Sequence, residues 1–143
     1  SADGSMLAVG APANSGNGSY SGHVRVYEND NGSWNIIGEF DGEAEGDLSG
    51  WSVALSADGS VLAVGARFND GNGSDSGHVH VYKYENGTWN RIGEDLDGEA
   101  EGDSFGRRVA LSADGSVMAV GAPFNDDGGN GPVSGHVRVF ELN

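Results

Sequence analysis

Ser56-Ala57-Asp58-Gly59-Ser60-Val61-Leu62-Ala63-Val64-Gly65-Ala66 decides the fold, because the chain contains this sentence three times. It stands earlier as Ser1-Ala2-Asp3-Gly4-Ser5-Met6-Leu7-Ala8-Val9-Gly10-Ala11 and later as Ser112-Ala113-Asp114-Gly115-Ser116-Val117-Met118-Ala119-Val120-Gly121-Ala122. The offsets are 55 and 56 residues. A fixed period of that size marks a repeat architecture, in which one unit cannot bury its apolar faces alone and stacks on a neighbour.

Outward from that sentence, the middle repeat reads as four strands. Residues 50–55 form the first, and Asp58-Gly59 turns the chain into the second. Residues 61–66 are nearly all apolar, which predicts burial on both faces. A polar loop over 67–76 leads to a third strand, 77–82, alternating with period two. Asn86-Gly87 is a second hairpin turn, 88–93 the fourth strand, and 97–103 an acidic connector. Four antiparallel strands per ~55 residues, without helical periodicity, predict an all-β fold of β-propeller-type blades. A linear β-solenoid is the alternative. Trp34 and Trp89 fall at equivalent rim positions, where each is expected to cover its own blade edge and touch the next blade.

The expected division is a partial blade over 1–47 (strands two to four), a complete blade over 48–103, and a partial blade over 104–143 (strands one to three). That is about two and a half blades, and a closed ring needs at least about four. The chain is therefore expected to be a segment of a longer repeat protein, or to be completed by identical neighbouring chains. Alone, such a piece would expose one blade face at each end and is expected to be unstable.

Composition narrows the partners. The formal charge is −15, from 22 acidic and 7 basic residues. Such a surface repels nucleic acid and anionic membranes. There is no Cys, so neither a disulfide scaffold nor a thiolate metal site is available. No apolar run approaches the ~18 residues of a membrane span.

Phe105-Gly106 followed by Gly121-Ala122-Pro123, together with Gly-His-Val-x-Val and a following Trp, resembles the FG-GAP repeat throughout the chain. The variety it most resembles is that of bacterial and algal extracellular proteins, related to the integrin α-subunit propeller. The resemblance implies a seven-bladed ring and a role in adhesion or recognition at the cell surface. Two elements depart from the pattern: Gly65-Ala66-Arg67 lacks the Pro, and Ser49-Gly50 replaces Phe-Gly. The integrin-type calcium loop Asp-x-Asp-x-Asp-Gly is also missing. Ser56-Ala57-Asp58-Gly59 and Ser112-Ala113-Asp114-Gly115 stand in its place, and one carboxylate cannot supply the six to eight oxygens that calcium takes.

Several groups are candidates for other sites. The acidic connectors carry Asp41, Glu43, Glu45 and Asp47, then Asp97, Glu99, Glu101 and Asp103, which could wrap calcium. Their ordinary reading is a solvated connector. The loops holding Asn69, Asp70 and Asp75, and Asn125, Asp126 and Asp127, could hold calcium too, against a reading as plain turn chemistry. Beyond this calcium no cofactor is expected. Asn17, Asn31, Asn72 and Asn86 each begin an Asn-Gly-Ser/Thr sequon, the acceptor for N-linked glycans in an extracellular protein. Asn-Gly turns also create such sequons by accident. His23, His78 and His136 recur in register and are expected to be structural, each bonded to nearby backbone or a Ser hydroxyl. His80 replaces Arg25 and Arg138 and reads as a face position tolerant of exchange.

No catalytic constellation emerges: there is no Gly-x-Ser-x-Gly elbow, phosphate loop or His-Glu-x-x-His. The expectation is a non-enzymatic extracellular or cell-surface scaffold, part of a fibre or coat. The alternative is an adhesion module that recognises a protein or glycan through its loops. Expected partners are further blades of the same protein or identical chains, together with N-linked glycans.

Overall fold

The computed structural model describes residues 1–126 and 132–142, so Asp127 and Asn130 of the third polar loop lie outside the described residues. Within them the fold is all-β, three antiparallel sheets of propeller-blade type that do not close into a ring. The first sheet holds β1 (Met6–Gly10), β2 (His23–Asp30) and β3 (Ser33–Asp41). The second holds β4 (Ser52–Leu55), β5 (Val61–Ala66), β6 (His78–Glu85) and β7 (Thr88–Asp97). The third holds β8 (Arg108–Leu111), β9 (Val117–Ala122) and β10 (His136–Glu141). Each is a meander, its strands paired in chain order.

The predicted turns are where the sequence puts them. Asn31-Gly32 and Asn86-Gly87 both take positive φ, 52° with 93° and 54° with 80°, as a tight turn matched to strand twist requires. At Ser56–Ser60 the turn is tied from within. The Asp58 carboxylate accepts bonds from the Ser56 hydroxyl at 2.6 Å, the Ser60 amide at 2.9 Å and the Ser60 hydroxyl at 2.8 Å. These donors hold its pKa below the usual carboxylate value. Asp3 and Asp114 repeat the arrangement and are lowered to about 2.

β7 runs four residues beyond the predicted fourth strand. Gly93, at φ 74°, sits in a bulge where the β6–β7 register shifts between Val79 and Val81, and pairing resumes at Val79–Leu96. Asp97 is thus the end of a strand, opposite His78, rather than the start of a connector.

The core consists of two seams between sheets. β5 is buried at every position. Its Leu62 and Val64 pack with Val24 and Val26 of the first sheet. Its Val61 and Ala63 pack with Met118, Val120 and Phe105 on the other side. This is the double burial that the apolar run predicts. β1 and β9, its equivalents, alternate instead, because each has a neighbouring sheet on only one side.

Glycines let the seams close. A Cβ on Gly65 would stand 2.1 Å from the Gly106 carbonyl oxygen, and one on Gly10 would stand 2.0 Å from that of Gly50. Gly10 and Gly65 therefore each seat the glycine that opens the following sheet. Trp89 corrects one expectation, since it reaches the preceding blade. Its ring meets Phe40 edge-on at 6.1 Å and lies so close to Gly38 that a Cβ there would be 2.7 Å away. Trp34, over which none of the described sheets packs in this way, is 46% exposed.

Candidate functional site

The acidic connectors are clasps. Asp47 and Asp103 are 3% and 2% exposed. The Asp47 carboxylate accepts from the Ala44 amide at 3.1 Å and from the Asn69 side-chain amide of the next unit at 3.0 Å. Asp103 accepts from the Glu99 and Ala100 amides at 3.2 and 3.0 Å and from the Asn125 side chain at 2.9 Å. One carboxylate per connector is thus consumed in holding successive units together.

The remaining calcium candidates are scattered. Asp70 accepts from the Asp75 amide at 2.8 Å, closing its own loop. Asp97 ends β7, while Glu99 faces His136 at 3.3 Å and Arg138 at 3.7 Å. Among the described residues, Asp97, Glu99, Glu101, Asp103, Asp70 and Asp75 do not contribute to any group of three ligands close enough to share an ion. In each connector the buried carboxylate, Asp47 or Asp103, already accepts from its own connector and from the Asn of the next unit.

The sequons divide into two kinds. The Asn17 Nδ2 donates to the Gly42 and Glu43 carbonyls at 2.9 and 3.3 Å. That of Asn72 donates to Gly98 and Glu99 at 2.8 and 3.0 Å. The nitrogen that a glycan would take is therefore engaged in pinning the connector. Asn31 and Asn86 instead stand at exposed hairpin tips.

The three equivalent histidines have three different surroundings, and none meets the backbone or Ser partner expected of it. The His23 Nδ1 lies 2.7 Å from the Asp41 carboxylate. His136 is on the open side of the third sheet, against Glu99. His78 is buried and stacks on His80, ring centroids 4.1 Å apart. His80 Nε2 is 3.5 Å from Glu43 of the preceding connector and 2.7 Å from Asp95. Burial pushes both imidazoles down to about 4; the neighbouring His80 adds to the effect on His78, and Arg91 adds to that on His80. Glu43, His78 and His80 together form the one group of potential metal ligands among the described residues. Sequence reading missed it by comparing each histidine with its counterparts one period away. His78-Val79-His80 places both rings on one face of a strand, and that signal was available.

Where the inner strands of the three sheets converge lies a cleft of about 540 Å³. It is lined by residues such as Met6, Leu7, Val53, Leu55, Leu111 and Ala113, and no acidic or basic side chain enters it. Its hydroxyls at Ser56 and Ser112 are committed to Asp58 and Asp114.

The FG-GAP repeat model matches residues 41–82 and 96–140. Among solved structures, a protein from Bacteroides fragilis described as a 6-phosphogluconolactonase is similar at 18% identity with a TM-score of 0.50. The match covers 85% of this chain but only 33% of that one. At such identity the likeness concerns the fold alone. No curated protein matches the sequence.

Proposed function

Because the chain belongs to the FG-GAP repeat family, we propose that it is a non-enzymatic structural repeat of an extracellular or cell-surface assembly, such as a fibre or coat. Its partners are further blades of the same protein or identical chains. One observation carries this reading: the open faces at the two ends copy the faces that meet in the middle. Val137 and Val139 are 65% and 66% exposed, whereas their equivalents Val79 and Val81 are 0% and 3% exposed. At the other end Leu7 and Val9 are 45% and 43% exposed, against 0% and 3% for Leu62 and Val64. The third sheet offers what the second offers to its successor, and the first offers what the second offers to its predecessor. Surfaces of this kind associate head to tail. The backbone continues the same logic, with the Ala2 amide bonded to the Ala57 carbonyl and the Ala57 amide to Ala113, both at 2.8 Å.

Asn31 and Asn86 are the glycan acceptors we favour, because both stand at exposed hairpin turns, the Asn31 Nδ2 donating only to the neighbouring Asp30 carboxylate at 2.8 Å.

Native mass spectrometry tests the assembly. A series of head-to-tail multimers is expected, collapsing to monomer in Val137→Asp/Val139→Asp. A folded chain that stays monomeric at high concentration would overturn the proposal. Sugar increments, where present, should vanish in Asn31→Gln/Asn86→Gln.

A further inference from the structure

We propose that the seam between the first and second sheets holds a divalent transition metal, zinc being the best fit, on Glu43, His78 and His80, with Asp95 or water completing the tetrahedron. The ligands come from both sides of the seam: Glu43 from the connector of the first unit, the two histidines from β6 of the second.

Three observations converge on this site. First, the donor set is two imidazoles and one carboxylate, which suits zinc and related borderline ions and lacks the oxygens that calcium requires. Second, the three ligand atoms lie within 4.8 Å of one another. An ion centred among them would stand at most about 2.8 Å from each, so reaching zinc bond lengths takes roughly 0.7 Å per ligand. Glu43 is half exposed and on a loop, free to make that movement and to leave an entry path.

Third, His80 Nε2 is buried without a hydrogen bond: Asp95 is near, but the N–H direction does not meet it. With Nδ1 as the protonated nitrogen, 3.4 Å from the Tyr82 hydroxyl, Nε2 is left as a buried, unpartnered lone pair with the Glu43 and Asp95 carboxylates 3.5 and 2.7 Å away. A metal ion would give that lone pair the partner it lacks. Tyr82 would then act as the outer partner that fixes the ring, as such partners do in metal sites. Arg91 is the competing charge, 3.8 Å from Glu43 and paired with Asp95. Its side chain is about one-third exposed, so it can swing to solvent while keeping Asp95 as its partner.

The other seam provides the control. There Arg138 occupies the place of His80, 3.7 Å from Glu99, so the second imidazole of the donor set is replaced by a cation.

The test is cobalt(II) and zinc titration of the full chain, read by the visible d–d bands of tetrahedral cobalt and by zinc displacing it. One equivalent should bind, and excess calcium should not displace it. His80→Arg, which installs the residue found at positions 25 and 138, should retain the strand circular dichroism and abolish the bands. Tyr82→Phe should weaken binding by about 10- to 100-fold. If His80→Arg fails to fold, Glu43→Gln decides, since its side chain is half exposed. Absence of stoichiometric binding, or unchanged bands in His80→Arg or Glu43→Gln, would overturn the proposal.

Discussion

The two seams are built on one plan and filled differently. In both, a glycine of the repeated sentence seats the next sheet's glycine, and an inward Asp clasps an Asn of the next unit. The second seam adds Phe105, 1% exposed, where the first has the small, polar Ser49. The first seam adds two stacked imidazoles facing a carboxylate, where the second has an exposed His136 and an Arg. The shared parts fix how units dock. The unshared parts decide what each joint responds to: one is an apolar plug, the other a titratable polar cluster.

Removing the plug should have the largest effect. Phe105→Ala empties a site within the cluster of Val61, Val79, Met118 and Val120 and should cost about 3–5 kcal/mol. Urea denaturation measures it. A loss below 1 kcal/mol would mean that the aliphatic side chains of the second seam hold it without Phe105.

Acid should open the first seam. His78 and His80 have folded pKa values of about 4, below the ordinary histidine value near 6.5, chiefly through burial. Glu43, Asp47 and Asp97 pull the His78 value up, but less than burial pulls it down. The unfolded chain therefore binds more protons than the folded chain between about pH 6.5 and 4, and stability rises with pH across that window. Acidification from pH 7 to 4 in the presence of chelator should cost on the order of 3 kcal/mol for the pair, after discounting for solvent screening. Denaturation midpoints of His80→Arg should fall less over the same range. Equal slopes would assign the acid response to carboxylates common to both seams.

How far the sequence reveals this molecule depends on how local the cause is. Period, strand order and hairpin turns are local, and the loss of alternation in residues 61–66 follows directly from having a sheet on each side. The end of β7 is not legible, because Gly93 looks like a terminator until a partner strand shows that it is a bulge. The clasping role of Asp47 and Asp103 is hidden for another reason. Their Asn partners lie 22 residues away on the following unit, so connector spacing alone suggests a cation loop. The Glu43–His78–His80 group is half legible. The two histidines are two residues apart on one strand, but Glu43 arrives only when the blades dock.

Glycine at the seam gives the sharpest contrast and the smallest absolute effect. Gly65 and Gly121 are equivalent in sequence, and neither needs a left-handed backbone. A Cβ on Gly65 would strike the Gly106 carbonyl at 2.1 Å, while one on Gly121 meets nothing nearer than 3.8 Å. Gly65→Ala should therefore cost about 1–3 kcal/mol through forced separation of the sheets. In the monomer, Gly121→Ala should be neutral or stabilise by a few tenths of a kcal/mol, through reduced freedom of the unfolded chain. Under conditions where chains associate, the sign should invert. If another unit docks on the third sheet as the third docks on the second, a carbonyl will approach Gly121 as Gly106 approaches Gly65. Thermal melts of Gly121→Ala across a concentration series separate the cases: a deficit that grows with concentration places a neighbour on that face, and a constant small gain leaves it open to solvent.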